Sequence, residues 1–496
     1  MSAGVVLREA RLSAGAMPQD VLIVDGRVAA IGDLRDVPNG IDEVRAGGRF
    51  VLPGLWDHHV HFDQWAQVRA RLDLSPARSA AGAARLVAQH LDHRGRDPAT
   101  PLVGYGFRDA LWPDVPHRGL LDDVAGDVPV VLIGADLHSA WLNTAALRRF
   151  GEDTEQTGLL REEAAMRVAG EVAVVAQDSG DELAADAAHA AAARGVVGIV
   201  DMEKPWPLTA WRRRIAAGQR SLRVVSSVWS ECVDMVIEQG MRTGDVVDDT
   251  SGLLTVGPLK VITDGSLNTR TGYCHDPYEG AQDGADRFGL SLVPEHDLVR
   301  RMQRATNAGL SCAIHAIGDR ANSIALRAFA ESGARGSIEH AQLLDDADVP
   351  RFAQLGVVAS VQPEHAMDDR DVADRLWAGR TRRAFVLRSL LDAGAVLALG
   401  SDAPVAPLDP WIAIAAAVHR TRDDREPWHP EQEITIEEAL LASMPASRRS
   451  LAVQVGHPAD LIVLDADPFT ATPAELRAMP VAATMVAGHW THRTAL

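Results

Sequence analysis

Residues 309–315 read G-L-S-C-A-I-H: a glycine, a short apolar run and a histidine, directly behind a helix-like stretch. Glycine just past a helix end, followed by β-rich apolar residues, marks a helix-to-strand unit, and strands of a buried parallel sheet have this appearance. The same order recurs at Gly195 (then VVGIVD), Gly333 (ARGSIEH), Gly356 (VVASVQP) and Gly394 (AVLALGSD), making five such units. Three of the runs end on a group able to bind a metal, namely His315, His340 and Asp402. Reactive side chains of a (β/α)8 barrel sit at the carboxyl ends of its strands. The repeat therefore predicts an α/β fold of the TIM-like (β/α)8 type with its chemistry gathered at one end.

Upstream, residues 51–61 read V-L-P-G-L-W-D-H-H-V-H. His59 and His61, at i and i+2 of a strand, point to one face, where two imidazoles can share a metal ion. Alone, such a pair is as readily a chance match or a hydrogen-bonded core pair. The later strands that end on ligands favour the metal reading. Lys260, in G-P-L-K-V-I-T-D-G-S, lies on the fourth predicted strand. Four imidazoles and a carboxylate can hold two divalent cations if one more bridging anion exists, and a desolvated lysine of lowered pKa can add CO2 to become a carbamate. The competing reading of Lys260 is an ion pair with Asp264, or an ammonium reaching out of the barrel on its alkyl stem.

Barrel strands are expected near 55–61, 196–201, 223–229, 258–264, 311–316, 336–340, 357–361 and 396–401. A helix is expected before Gly195, opening with a capping box from Ser179 to Glu182, and another over R-R-A-F-V-L-R-S-L-L-D-A-G up to Gly394. The gap after the first strand exceeds the ~30 residues of one crossover. It contains the strand-like LVGYGF and PVVLIGA and the helix-like SAWLNTAALRRF, so an α/β subdomain is expected at about 63–175, reaching over the barrel mouth. Short strands with Gly and Asp turns fill both ends of the chain. These suggest a small β-sandwich made of 1–52 and 453–496, flanking a barrel domain of 53–452.

The formal charge of −19 repels nucleic acid and anionic membrane surfaces. The amino-terminal residues lack the apolar core of a signal peptide, and no run approaches the ~20 apolar residues that span a bilayer, so a cytoplasmic protein is expected. The expected partner is a small molecule, with room left for a homodimer. Cys232, Cys274 and Cys312 lack metal-like spacing and read as buried small hydrophobes.

Taken together, PGLWDHHVH, the fourth-strand lysine, AIHAIGDRA, SIEHAQL and ALGSDAPV resemble the amidohydrolase superfamily, in the YtcJ-like branch (amidohydrolase family 3) that contains N-substituted formamide deformylase. The likeness extends to GYGF, DLHSAWLN and TGLLRE in the insert, DGSLNTRT after the fourth strand and the terminal GHPADLIVLD. It implies a metal-dependent hydrolase of amide or formamide C–N bonds. In that picture Zn2+, as two divalent ions, is held by His59, His61, His315, His340 and Asp402, bridged by carboxylated Lys260. A metal-bound hydroxide attacks the carbonyl, and Asp402 serves as general base and then acid. Phe107, where the branch more usually has tryptophan, and Leu267-Asn268-Thr269-Arg270 depart from the pattern and put specificity in doubt. Deaminases of the superfamily carry glutamate three residues after the fifth-strand histidine; here that position is Gly318, which disfavours deamination.

Candidates for substrate contact are His138, Trp141, Asn143, Arg270 and His365, each with a plainer reading as a loop residue or, for Arg270, an ion pair with Asp276. Asp57 could orient an imidazole or be a solvated strand-end carboxylate, and Asp319 reads as structural, hydrogen-bonding within its loop or pairing with Arg320. Of the 11 tryptophans, Trp65, Trp112, Trp141, Trp206, Trp377, Trp411 and Trp428 fall in the insert or in loops after strands, and two or three of them are expected to face a cavity and favour an apolar substrate group. The alternatives are an esterase using the same metal pair and a non-catalytic scaffold or regulatory homologue.

Overall fold

Eight parallel strands form the central sheet: β1 Leu55–Val60, β2 Val196–Asp201, β3 Arg223–Trp229, β4 Leu254–Ile262, β5 Cys312–Ala316, β6 Gly336–His340, β7 Val358–Val361 and β8 Leu397–Leu399. The computed structural model describes residues 4–107, 109, 112–134, 139–152, 155–175, 180–204, 206–281, 284–445 and 448–494. Each strand pairs with its sequence neighbour, in the order β8-β7-β6-β5-β4-β3-β2-β1. The ring closes just past β8, where the Asp402 amide donates to the His59 carbonyl at 2.7 Å and the His61 amide donates to the Ala403 carbonyl at 2.8 Å. The fold is thus the expected TIM-like barrel, with β4 beginning earlier and β8 ending sooner than the apolar runs suggested.

The strands are apolar because both faces are covered. β7 runs Val-Ala-Ser-Val and β8 is wholly buried, whereas β6, Gly-Ser-Ile-Glu-His, is the exception and buries Glu339 and His340. Glycines stop the preceding helices. Gly333 and Gly356 adopt left-handed conformations at φ 65°, where a Cβ would be disfavoured, after helices Asp319–Ser332 and Val349–Leu355. The helix before β8 is shorter than its sequence pattern implied, Leu387–Asp392, since Thr381–Arg383 forms a 3-10 turn and Phe385 has φ 52°. Before β2 the helix is Gly180–Ala192; Ser179 lies outside the described residues. Cys274 and Cys312 are buried as expected, whereas Cys232 is only half-buried.

Beside the barrel stand two four-stranded sheets. One holds Gly4–Ala10, Gln19–Val24, Arg27–Gly32 and Ile41–Arg45; the other pairs Phe50–Pro53 with Leu461–Leu464, followed by Val481–Val486 and His489–Arg493. Val5, Leu7, Val21 and Ile23 from the first meet Leu461, Val463, Ala483 and Met485 from the second in one core, so both ends of the chain build the β-sandwich. Asp460 ties it to the barrel, accepting from Arg223 Nε at 2.6 Å and Nη2 at 3.1 Å.

Two compact units divide the chain: Met1–Phe62 with Ala188–Leu496, and Asp63–Ala187. The second has a five-stranded sheet ordered Leu159–Arg161, Ser139–Leu142, Val130–Gly134, Leu102–Phe107, Leu72–Asp73. Val130 and Leu132 face helices Ala80–Arg94 and Arg118–Ala125, while Val131 and Ile133 face Thr144–Arg149 and Glu162–Val175. The S-A-W-L-N stretch is not helical, as its sequence suggested, but a strand that ends at the cap of the next helix.

The backbone supplies a graded test. At Gly336, φ 145°, an added Cβ would stand 1.8 Å from the Cys312 carbonyl oxygen on β5, whereas nothing lies within 4 Å of a Cβ on Gly333. Gly333→Ala is therefore expected to cost about 1 kcal/mol, from the left-handed backbone alone. Gly336→Ala should cost roughly 3 kcal/mol or more, because strain adds to a backbone clash between paired strands. Thermal melting of the two variants checks this order, and equal melting temperatures would contradict it.

Candidate metal centre

Barrel closure brings the first and last candidate ligands together. The carboxylate of Asp402 presents Oδ1 to His59 Nε2 and to His61 Nε2, each at 3.5 Å. Its Oδ2 lies 3.8 Å from His365 Nε2. Within each of the sets His59, His61, Asp402 and His340, His365, Asp402, one donor atom per residue can be chosen with all mutual distances under 4.8 Å. Asp402 and His340 have φ values of 56° and 73°, conformations that non-glycine residues rarely hold unless the surroundings require them. The ring centroid of His340 is 5.0 Å from that of His59 and 4.4 Å from that of His315.

Lys260, buried at the end of β4, places Nζ 3.4 Å from His59 Nε2. Asp264 is not drawn to it; its carboxylate accepts from the amides of Tyr273 at 2.8 Å, Ile317 at 3.0 Å and Gly318 at 2.9 Å. His315 turns Nε2 toward the Gly265 carbonyl at 3.3 Å and Asp264 Oδ1 at 3.4 Å. A side chain at Gly318 would meet the Tyr273 carbonyl oxygen at 2.2 Å, so the loop after β5 has no room for the carboxylate found in deaminases.

Burial and charge set the protonation of these groups. Burial, then the charge of Lys260, pushes the His59 imidazole down to about 4, leaving it neutral near pH 7. Burial alone opposes the ammonium of Lys260 and lowers its pKa, which favours the neutral amine that carbamate formation needs. Burial opposes ionisation of Asp402, but the surrounding imidazoles, His59 first, prevail and hold it well below the ordinary carboxylate range. For His61 burial is likewise outweighed, by the pairing with Asp402, and the pKa rises.

A residue that sequence reasoning missed holds His59 in place. Glu339 Oε2 sits 2.6 Å from His59 Nδ1, both side chains 1% exposed, and Ser337 donates to the other carboxylate oxygen. Burial resists this charge, yet His59 and Lys260 draw it down to about 2. A carboxylate there fixes the tautomer and aims Nε2 into the centre. Its sequence signal was a charged residue inside the run SIEH, next to a ligand. Asp57, the residue considered for that role, instead accepts from the amides of His59 at 3.1 Å and Ser401 at 3.0 Å, and so stitches the barrel seam. Burial raises its pKa to about 6.

The donor set fits a divalent cation. His59 Nε2 and His61 Nε2 converge on the ionised carboxylate of Asp402, and His340, whose ring adjoins that of His59, has a buried Nδ1 without a hydrogen-bond partner, which folded proteins rarely tolerate.

The remaining candidates fall elsewhere. Asn143 caps the helix Thr144–Arg149: its Oδ1 accepts from Val130 and Ala146 amides at 2.9 Å each and its Nδ2 donates to the Val128 carbonyl at 2.9 Å. That amide is fully occupied by backbone. Trp141 is fully buried in the apolar core around Leu102 and Leu132, and Trp377 and Trp411 are fully buried as well, while Trp65 and Trp428 are nearly so. Of the seven tryptophans, only Trp112 and Trp206 are half-exposed, so the expected aromatic cavity wall is largely core packing. Arg270 is exposed in the loop after β4, with φ 58°. Asp319 is structural but pairs with Arg383 at 3.1 Å and the His275 amide at 2.8 Å rather than Arg320. His138 lies outside the described residues.

The model of the Amidohydrolase family, Amidohydro_3, matches residues 42–492. The chain belongs to the amidohydrolase family. It is 27% identical to the putative amidohydrolase YtcJ of Bacillus subtilis, over 96% of either chain. It is 28% identical to the N-substituted formamide deformylase of Arthrobacter pascens, over 95% of this chain and 94% of that one. An uncharacterised metal-dependent hydrolase from Pyrococcus horikoshii has the same fold, with a TM-score of 0.77 and 25% identity over 96% of this chain and 99% of that one. The family and the candidate donor groups at the barrel seam agree with a metal-dependent hydrolase. No helix among the described residues is long and apolar enough to cross a membrane.

Loss of the carboxylate behind a ligating imidazole weakens metal affinity roughly 10–100-fold. Glu339→Gln is expected to show such a loss in competition with a chelator while melting as a folded protein; affinity equal to wild type would contradict the role given to Glu339.

Proposed function

We propose that the protein hydrolyses the C–N bond of an amide or formamide, with two divalent cations, zinc first among them, held by His59, His61, His315, His340, Asp402 and a carboxylated Lys260. The observation that carries this reading is the position of Asp402, an ionised carboxylate flanked by imidazoles at the seam of the barrel. The proposed domain limits remain 1–52 and 453–496 for the sandwich and 53–452 for the barrel, with an insert at about 63–175. A homodimer in the cytoplasm is the proposed setting.

Cations bound in such a site lower the pKa of water from about 15.7 to about 7 and polarise a carbonyl. The protein's own contribution is positional. Glu339 holds the His59 ring, Asp57 and the backbone bonds of the seam hold Asp402, and burial keeps bulk water from the ligands. Asp402 accepts a proton from the attacking water and returns it to the leaving nitrogen, which contributes roughly 10²–10⁴-fold. The nitrogen then departs with the C–N electron pair as a neutral amine. The name of the deformylase relative supports an N-substituted formamide as substrate class. An apolar N-substituent rests on Trp112 and Trp206, the half-exposed tryptophans of the expected set, since the others are packed in cores.

Purified protein should carry about two equivalents of divalent metal. Chelation, or His59→Ala combined with His61→Ala, should abolish both metal and hydrolysis of an N-benzyl formamide; full activity of a metal-free sample contradicts the proposal. In a parallel panel the formamide should outpace the matching ester and an N-acyl amino acid. Preference for the ester would favour the same site used as an esterase, and preference for the acyl amino acid would shift recognition to Arg270.

The carbamate has its own test. Protein loaded with metal in 13C-labelled bicarbonate should give one slowly exchanging carbamate resonance that Lys260→Ala removes. Its absence from fully loaded protein would leave a mononuclear site.

A further inference from the structure

Above the barrel, a polar assembly built on His365, one of the expected substrate contacts, adjoins the candidate ligands. His365 is the third residue of the helix Pro363–Leu376 that follows β7; it is buried, and its Nε2 has no hydrogen-bond partner. The Asp402 carboxylate is divided, with Oδ1 turned to His59 and His61 and Oδ2 turned to His365. The His365 ring lies nearly parallel to that of His340, 13° between planes with centroids 6.1 Å apart. One turn along the helix, Asp369 shares the face of His365. Its carboxylate is gripped from two sides: Asn268 Nδ2 donates to Oδ1 at 2.9 Å and Gln342 Nε2 donates to Oδ2 at 3.0 Å. Asn268 belongs to the loop after β4 and Gln342 to the loop after β6. Leu267, Leu343, Ala366 and Met367, neighbours of these residues in sequence, pack in one apolar cluster that holds the three segments together.

We infer that His365 contacts the substrate on the leaving-group side of the scissile bond, and that Asp369, clamped by Asn268 and Gln342, is the positioning residue that sets its imidazole. The inference rests on the amide-hydrolysis reading above. To hand its proton to the leaving nitrogen, Asp402 must touch that atom. Its Oδ1 is occupied by the imidazoles of His59 and His61, so the nitrogen approaches Oδ2. His365 Nε2 faces that same oxygen, and a buried nitrogen without a partner is a hydrogen-bonding group awaiting one. The proton moves from Asp402 to nitrogen as the C–N pair leaves with it; His365 orients the group and exchanges nothing. Because Asn268 lies in the Leu267-Asn268-Thr269-Arg270 segment that departs from the branch pattern, the clamp links the choice of leaving amine to that loop.

The test uses the full-length, metal-loaded protein and two formamides that share the acyl group and differ in the amine, N-benzylformamide and formanilide. His365→Ala and His365→Asn should keep the wild-type metal content and a KM within a few-fold of wild type, and lose on the order of 10²-fold in kcat, the scale for removing one hydrogen-bonding group at a reacting centre. Asp369→Ala should lose roughly tenfold, and His365→Ala with Asp369→Ala should be no slower than His365→Ala alone, because the second change acts through the first. Asn268→Ala should change the ratio of kcat/KM between the two formamides several-fold. Wild-type kcat in both His365 variants, or loss of metal from them, overturns the assignment of His365. Fully additive losses overturn the role of Asp369. Wild-type protein that binds metal yet cleaves no amide defeats the underlying reading instead, and the wild-type arm tells that failure apart.

Discussion

The seam that closes the barrel is the constraint on which the rest depends. β1 and the segment after β8 are joined by reciprocal backbone bonds, Asp402 to His59 and Ala403 to His61, and by the Asp57 carboxylate bridging the His59 and Ser401 amides. A sheet closed on itself has no edge, so register there is fixed. The approach is close: a Cβ on Gly400 would stand 2.7 Å from the His59 amide nitrogen. These bonds force Asp402 into its left-handed conformation and set its carboxylate against two imidazoles. Fold closure and the candidate centre are one piece of geometry.

Around that seam, burial does the electrostatic preparation. A buried lysine beside a neutral imidazole would be costly as an ammonium, and loss of the proton, as in carbamate formation, removes that positive charge. Glu339 and His59 offset each other's burial through a charge-assisted bond. The geometry is thus that of a candidate donor set held in place by its neighbours rather than of a hydrophobic core with stray polar residues. Gly318, wedged against Tyr273, keeps a further carboxylate out of the loop after β5.

Much of this was legible in the sequence, for physical reasons. Parallel strands covered on both faces read as apolar runs, and helices that stop at left-handed glycines announce where five of the runs begin; β1, β3 and β4 were placed by their apolar runs alone. His59, His61, His340 and Asp402 stood out because reactive groups end barrel strands. What escaped notice depends on contacts distant in sequence. Glu339 looked like part of SIEH until the structure paired it with His59; the orienting role considered for Asp57 belongs to Glu339. Trp141 and Asn143 were read by residue type as pocket groups, yet one fills a core and the other caps a helix. The helix-like S-A-W-L-N was a strand because sheet pairing overrides local propensity.

Anomalous diffraction at the zinc edge from metal-loaded crystals tests the central claim most directly. The account predicts two peaks at the carboxyl ends of the barrel strands, one against His59, His61 and Asp402, and both against density extending from Lys260 Nζ. A peak away from the seam, or a loaded protein in which Asp402 points away from His59 and His61, would contradict it.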